Sequence, residues 1–414
     1  MPDTTPRDRP APPRVQPHLL ALPGYDPVTP VDQLAAQAGI DPADVLKLDA
    51  NENPFGAHPA VRRALADFDA WSLYPDPLQL DLRAAIAEYV GVPPDRIVAG
   101  AGSDELIELS VRALVGPGQR ILSCPPTFGM YRFLADVAAI PLDEVERHAD
   151  FTLDLDSVLA AITPDTALII LASPNNPSGT PLPDEDLAAL LDTGATVAID
   201  EAYGEYAGVS ALDRFADHPR LIVFRTFSKW AGLAGLRAGY GVFPTDLAPA
   251  LLRVKQPYNV NLAADVAMRA ALGAKDELLA QAQLVVQERE RLARNIADLG
   301  WLTPYPSAAN FLLCEVASGP PNRESAHPEA LPSEVEGRVP PQSNDSAHPE
   351  PVEGREPGGA GQVLQAALAA RGVFVRVFST PRLQNCVRIS CPRPDQHQAL
   401  MSRLRDVGAE LGYG

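Results

Sequence analysis

The chain has 414 residues, 46% of them hydrophobic and 21% charged, which is globular composition at a length that calls for more than one packed unit. Its formal charge is −19. An acidic field of that size repels polyanions and anionic bilayers, so nucleic acid and membrane surfaces are excluded as partners, and any bound phosphate must be held by a local pocket.

Residues 1–20 carry Pro and Arg without an apolar stretch, which reads as a disordered tail rather than a signal peptide. No apolar run approaches the ~20 residues that span a bilayer. From Asp81, Leu82, Ile86, Tyr89 and Val90 share one helical face. Strand candidates follow at Arg96–Ala99, Arg120–Ser123, Thr166–Ala172, Thr196–Ile199 and Leu221–Phe224, with helices between them at Asp104–Leu114 and Asp184–Leu191. Near-continuous apolar strands alternating with helices predict an α/β fold with a mostly parallel sheet covered on both faces. A long helix is expected over Asp276–Leu299. The remainder reads as a smaller α+β unit: strand Asn310–Glu315, helix Gly361–Ala370, strands Val373–Val377 and Cys386–Ser390, then a final helix.

Residues 317–360 break this pattern. Ser325-Ala326-His327-Pro328-Glu329 recurs at 346–350, and Val335-Glu336-Gly337-Arg338 at 352–355. Two copies are too few for a solenoid, so the segment reads as a low-complexity surface insertion.

Cys124, Cys314, Cys386 and Cys391 are far apart, which fits a reduced cytoplasm and no disulfide framework. The seven histidines show no zinc spacing, so no metal is expected. Lysine occurs only at Lys47, Lys229, Lys255 and Lys275, which limits covalent lysine chemistry to four candidates.

Four segments sit where a strand ends or a helix begins. Lys229 closes Phe224-Arg225-Thr226-Phe227-Ser228-Lys229. A lysine at the end of a buried strand suits imine formation, or it is a snorkelling surface lysine. Asp200-Glu201-Ala202-Tyr203 follows a strand, where ligands of open sheets collect; there Asp200 could face a ring nitrogen, or cap a helix. Ser173-Pro174-Asn175-Asn176-Pro177-Ser178-Gly179 is a rigid turn. Ala101-Gly102-Ser103-Asp104-Glu105 opens a helix whose free N–H groups suit phosphate, or is a plain capped start.

In this order and spacing the four segments resemble the fold-type I aminotransferases that use pyridoxal 5'-phosphate. The resemblance covers about residues 20–410 apart from the insertion. It implies a small domain starting at 21–50, a large cofactor-binding domain over 51–290, and the rest of the small domain over 291–414, interrupted at 317–360. It implies that Lys229 bonds the cofactor aldehyde, that Asp200 holds the ring N–H, and that Asn176 and Tyr203 bond the phenolic oxygen. Gly102, Ser103, Asp104, Thr226, Ser228 and Arg237 would surround the phosphate, and Phe128 would stack on the ring where many relatives carry Tyr. Leu48-Asp49-Ala50-Asn51-Glu52-Asn53-Pro54-Phe55-Gly56, Tyr74-Pro75-Asp76, Phe374-Val375-Arg376 and Val387-Arg388-Ile389-Ser390 look most similar to histidinol-phosphate aminotransferases. That implies a homodimer in which Tyr74 reaches the partner's cofactor phosphate. It also implies that Asn53 lies near the substrate, and that Arg388, or less strongly Arg376, binds its anionic end. The substrates would be a phosphorylated amino alcohol and glutamate or 2-oxoglutarate. An aromatic amino acid aminotransferase and a threonine-phosphate decarboxylase-like lyase share the same cofactor residues.

Overall fold

The computed structural model describes residues 14–22, 24, 28–317, 319 and 359–413. The repeats of the expected insertion, and residues 1–13 of the expected tail, lie outside the described residues. Residues Pro17–Leu20 form a single helical turn where a structureless tail is expected, with Pro at its first position presetting φ.

Among the described residues twelve strands form in chain order. They are β1 (Leu46–Leu48), β2 (Ile97–Gly100), β3 (Arg120–Ser123), β4 (Leu142–Glu144), β5 (Thr166–Ala172), β6 (Thr196–Asp200), β7 (Leu221–Thr226), β8 (Gly239–Val242), β9 (Leu302–Pro304), β10 (Phe311–Val316), β11 (Val373–Val375) and β12 (Cys386–Ser390). The large sheet runs β2-β8-β7-β6-β5-β3-β4. It is parallel from β7 to β4, and β8 is antiparallel to both its neighbours. Its strands read as unbroken apolar runs because both faces are buried. Ile169, Leu171, Val197, Ile199 and Val223 face one core, and Leu168, Ile170, Ala198, Ile222 and Phe224 the other.

A third core belongs to the smaller unit. There β12-β10-β9 form an antiparallel sheet, and β1 pairs in parallel with β11. The helices Ala360–Ala369 and His397–Glu410 supply Leu364, Leu368, Leu400 and Leu404 to it. The helix Lys275–Ala297 serves both units. Leu278, Ala282 and Val285 pack into the large core, and Leu292 and Ile296 into the small one. A boundary at residue 290 therefore falls inside a continuous helix.

The chain leaves β10 and re-enters at Ala360 from neighbouring points. The Val316 N–H donates to Asn385 O (2.9 Å), the Ala360 N–H to Asn385 Oδ1 (3.1 Å), and the Gly361 N–H to Gln384 O (3.1 Å). Among the described residues no helix is long and apolar enough to cross a membrane.

Candidate active site

The carboxyl ends of β6 and β7 lie side by side, with Asp200 in register with Phe224. Asp200 is the last residue of its strand and is buried. Burial pushes its carboxyl up to about 6, against the hydrogen bonds that favour its charge. Those bonds come from Tyr131 Oη to Oδ2 (2.9 Å) and from the Ala202 N–H to Oδ1 (3.1 Å). Phe128 meets Tyr131 edge-on, with centroids 5.7 Å apart.

Just past β7, the Ser228 N–H donates to Thr226 Oγ1 (3.1 Å), and the two hydroxyls sit 3.0 Å apart. The turn delivers Lys229, whose Nζ donates to Ala50 O (3.1 Å) and lies 5.9 Å from the Tyr203 ring centroid. Desolvation lowers this amine to about 8; Arg388 and Arg237 push the same way, and Glu52 and Asp104 oppose them. The other three lysines are engaged elsewhere. Lys47 pairs with Asp49 and Glu52, Lys255 donates to the Gln256 and Pro257 carbonyls, and Lys275 lies 4.0 Å from Glu88.

A cup forms opposite. Gly102 has φ +84, and a Cβ there would come within 2.6 Å of Arg237 Nη2, so only glycine allows that approach. A Cβ on Gly239 would likewise sit 2.6 Å from the Ser103 amide nitrogen. Ser103 and Asp104 open a 12-residue helix, where the first N–H groups have no intrahelical acceptor and favour an anion. Asp104 Oδ2 holds Arg237 Nη2 at 2.8 Å, so its carboxylate orients the guanidinium.

The small unit contributes Arg388 from β12. This buried guanidinium donates from Nη1 to Asn176 Oδ1 (2.7 Å) and from Nη2 to Asp49 O, and it sits over the Phe311 ring at 5.4 Å. Arg376 forms a backbone bridge with Arg388 on the neighbouring strand. Buried behind these groups, Arg225 is fastened to Glu201 (2.7 Å) and Glu205 (2.9 Å), tying the residue after Asp200 to the one before Thr226.

A partly buried amine, a buried carboxylate and an anion cup thus meet at one sheet end. A model of the class I and II aminotransferase family matches residues 43–404. The chain belongs to the class I and II aminotransferases. It is 43% identical over 399 residues to the histidinol-phosphate aminotransferase of Roseiflexus castenholzii (strain DSM 13941 / HLO8), covering 95% of this chain and 98% of that one. With the chloroplastic histidinol-phosphate aminotransferase of Nicotiana tabacum it shares 40% over 393 residues, 94% of this chain and 86% of that one. The crystal structure of histidinol-phosphate aminotransferase from Sinorhizobium meliloti in complex with pyridoxal-5'-phosphate superposes with a TM-score of 0.79 at 26% identity, over 97% of this chain and 100% of that one.

As an aminotransferase, the chain gathers most of the residues expected from its sequence. Lys229 lies beside the Tyr203 ring, Arg388 bonds Asn176, Asp200 ends the strand next to the one that leads to Lys229, and Gly102, Asp104 and Arg237 form the cup. Asn53 donates to the carbonyl of Trp230, the residue after Lys229 (2.7 Å), and accepts from the Phe55 N–H (2.9 Å). Asn51 Nδ2 donates to Tyr203 Oη at 2.9 Å. Tyr74 is 79% exposed and stacks on Tyr258 with centroids 4.4 Å apart. Two partners are not singled out by the sequence: Tyr131, in the first turn of the helix Met130–Val137 that begins just after Phe128, and Asn51, two residues before Asn53.

Proposed function

We propose that this aminotransferase binds pyridoxal 5'-phosphate at Lys229 and transfers an amino group between histidinol phosphate and 2-oxoglutarate. The observation that carries the reading is that Asp200 ends β6 while Lys229 follows the adjacent β7, its amine beside the Tyr203 ring and in the field of Arg388. The residues fit the cofactor: a partly neutral amine for its aldehyde, a buried carboxyl for its ring nitrogen, and a glycine-floored helix start for its phosphate. The cofactor, when bound, supplies the carbonyl carbon that takes up the amino group and the ring that accepts the electrons freed from the substrate Cα.

The chain's residues then divide the work. Asp200 holds a proton on the ring nitrogen, with Tyr131 and the Ala202 N–H fixing its orientation. Asn176 and Tyr203 hold the phenolic oxygen, and Asn51 orients the Tyr203 hydroxyl. Ser103, Thr226, Ser228 and Arg237 hold the phosphate, and Phe128 covers the ring. Lys229 Nζ would take the Cα proton as general base and return a proton as general acid, for which a pKa near 8 is suited. Arg388 accepts the phosphate of one substrate and the carboxylate of the other, and its planar fork matches both anions.

A homodimer is part of this reading. Trp71, Leu73, Tyr74, Leu78, Leu80 and Tyr258 are large apolar groups left exposed close to one another in sequence or in contact, a surface suited to a second copy. A cytoplasmic location is supported by four free, buried thiols.

The test compares kcat/KM for histidinol phosphate and for phenylalanine with 2-oxoglutarate as acceptor. A clear preference for histidinol phosphate is expected. Preference for phenylalanine, or release of carbon dioxide, would overturn the substrate assignment. Purified protein should show a visible band that Lys229→Ala abolishes.

A further inference from the structure

β2 is an edge strand of the large sheet, and its outer side should present unpaired N–H and C=O groups. At Ala99 it does not. The Ala99 N–H donates to Gln79 Oε1 (3.1 Å), and Ala99 O accepts from Gln79 Nε2 (3.1 Å) and Asn259 Nδ2 (3.0 Å). Two side-chain amides thus take the place of a neighbouring strand, at the residue just before the Gly100–Ser103 turn.

The same group of side chains grips the turn itself. Asn259 Nδ2 also donates to Glu105 Oε2 (2.9 Å), and that oxygen accepts the Ala101 N–H (2.6 Å). Asn259 Oδ1 accepts from Gln79 Nε2 (2.9 Å) and Lys255 Nζ (3.0 Å), so every hydrogen-bonding position of this amide is used. Within the turn the Gly102 N–H closes on Gly100 O (2.8 Å). With the Ala101 and Gly102 amides committed internally, the anion site is left to the helix-start N–H groups that follow.

Gln79 carries a conformational cost to do this. It is buried and has φ +56, a left-handed backbone that glycine or asparagine adopts far more readily. Its N–H closes on Asp76 O (3.1 Å), and Tyr258, one residue before Asn259, carries the stacked Tyr74. A strained glutamine held by a saturated network next to an anion cup is a sign of preorganisation rather than of bulk packing.

We propose that Gln79 and Asn259 are positioning residues for the phosphate end of the cofactor site, acting through the Ala99–Ser103 turn. This rests on the functional reading above and extends it to residues outside direct contact with the ligand. Cofactor-free protein is titrated with pyridoxal 5'-phosphate and separately with pyridoxal, which keeps the ring and aldehyde but lacks the phosphate. Band formation and tryptophan quenching report binding, and circular dichroism reports the fold. Gln79→Gly removes the amide while relieving the left-handed strain, and Asn259→Leu removes the second amide. Each variant should bind pyridoxal 5'-phosphate about tenfold or more weakly, the loss of one or two buried hydrogen bonds' worth of preorganisation, with pyridoxal affinity unchanged within about twofold. Parallel loss for both ligands, or no loss for either, would overturn the inference while leaving the functional reading intact. A wild-type protein that forms no band with either aldehyde would overturn both.

Discussion

Replacing Lys229 with Met should stabilise the cofactor-free protein while abolishing its activity. The folded amine sits at about 8, against 10.5 for an ordinary lysine, so at neutral pH the folded state holds a charge it disfavours. At ~1.4 kcal/mol per unit this is about 3 kcal/mol. The side chain is only partly buried, so water screens some of that penalty, and Met gives up the bond to Ala50 O, about 1 kcal/mol. A gain of about 1–2 kcal/mol remains. The pH dependence follows from linkage. Below pH 8 the amine is protonated in both states and the penalty is complete; between 8 and 10.5 the unfolded chain binds the extra proton, so the wild type recovers stability as pH rises. The variant's advantage should therefore be largest near pH 7 and shrink toward pH 10.5. Urea unfolding of both stripped proteins by circular dichroism, at pH 7 and pH 10.5, measures it. A variant no more stable than wild type at pH 7, or an advantage that does not change with pH, would refute the reasoning.

Arg225→Met leaves Glu201 and Glu205 buried without their cation and should cost about 3–5 kcal/mol, read as a lowered unfolding midpoint; Arg225→Lys, keeping charge but not the fork, should lose less. Arg388→Ala should raise KM for both anionic substrates about 10–100-fold, the worth of a charged hydrogen bond, while the visible band persists. Tyr131→Phe removes a donor that favours the ionised Asp200, so the carboxyl should titrate higher than about 6. The cofactor-free variant should lose about 1 kcal/mol at about pH 8, above both carboxyl titrations, and the loss should fade as pH drops through about 6, as seen in the same unfolding assay.

The parts of the fold that are readable from sequence are those whose burial is uniform. Thr166–Ala172 and Arg120–Ser123 are strands over the very residues that the apolar runs mark, because both sheet faces are covered there. β8 escapes such a reading. Two of its four residues are glycines, demanded by the Ser103 amide on one side and the Phe243 ring on the other, and glycine carries no hydropathy signal. β4, with Asp143 and Glu144 at a half-covered edge, is hidden for the opposite reason. In the site, residues that must end a strand or open a helix are visible, as Asp200, Lys229 and Ser103 are. Residues that work by reaching across the fold are not. Gln79 and Asn259 lie 180 positions apart, and only the folded chain brings their amides to the same strand edge.

Asn385 binds both the residue at which β10 ends and the residue at which the next helix begins. The sheet therefore meets the intervening stretch as a closed clasp, whatever length of chain is threaded between its two halves. Lengthening such a stretch raises only the closure entropy, by about 0.6 kcal/mol for each doubling, so sequence can accumulate there by duplication without any strand of the catalytic frame changing register.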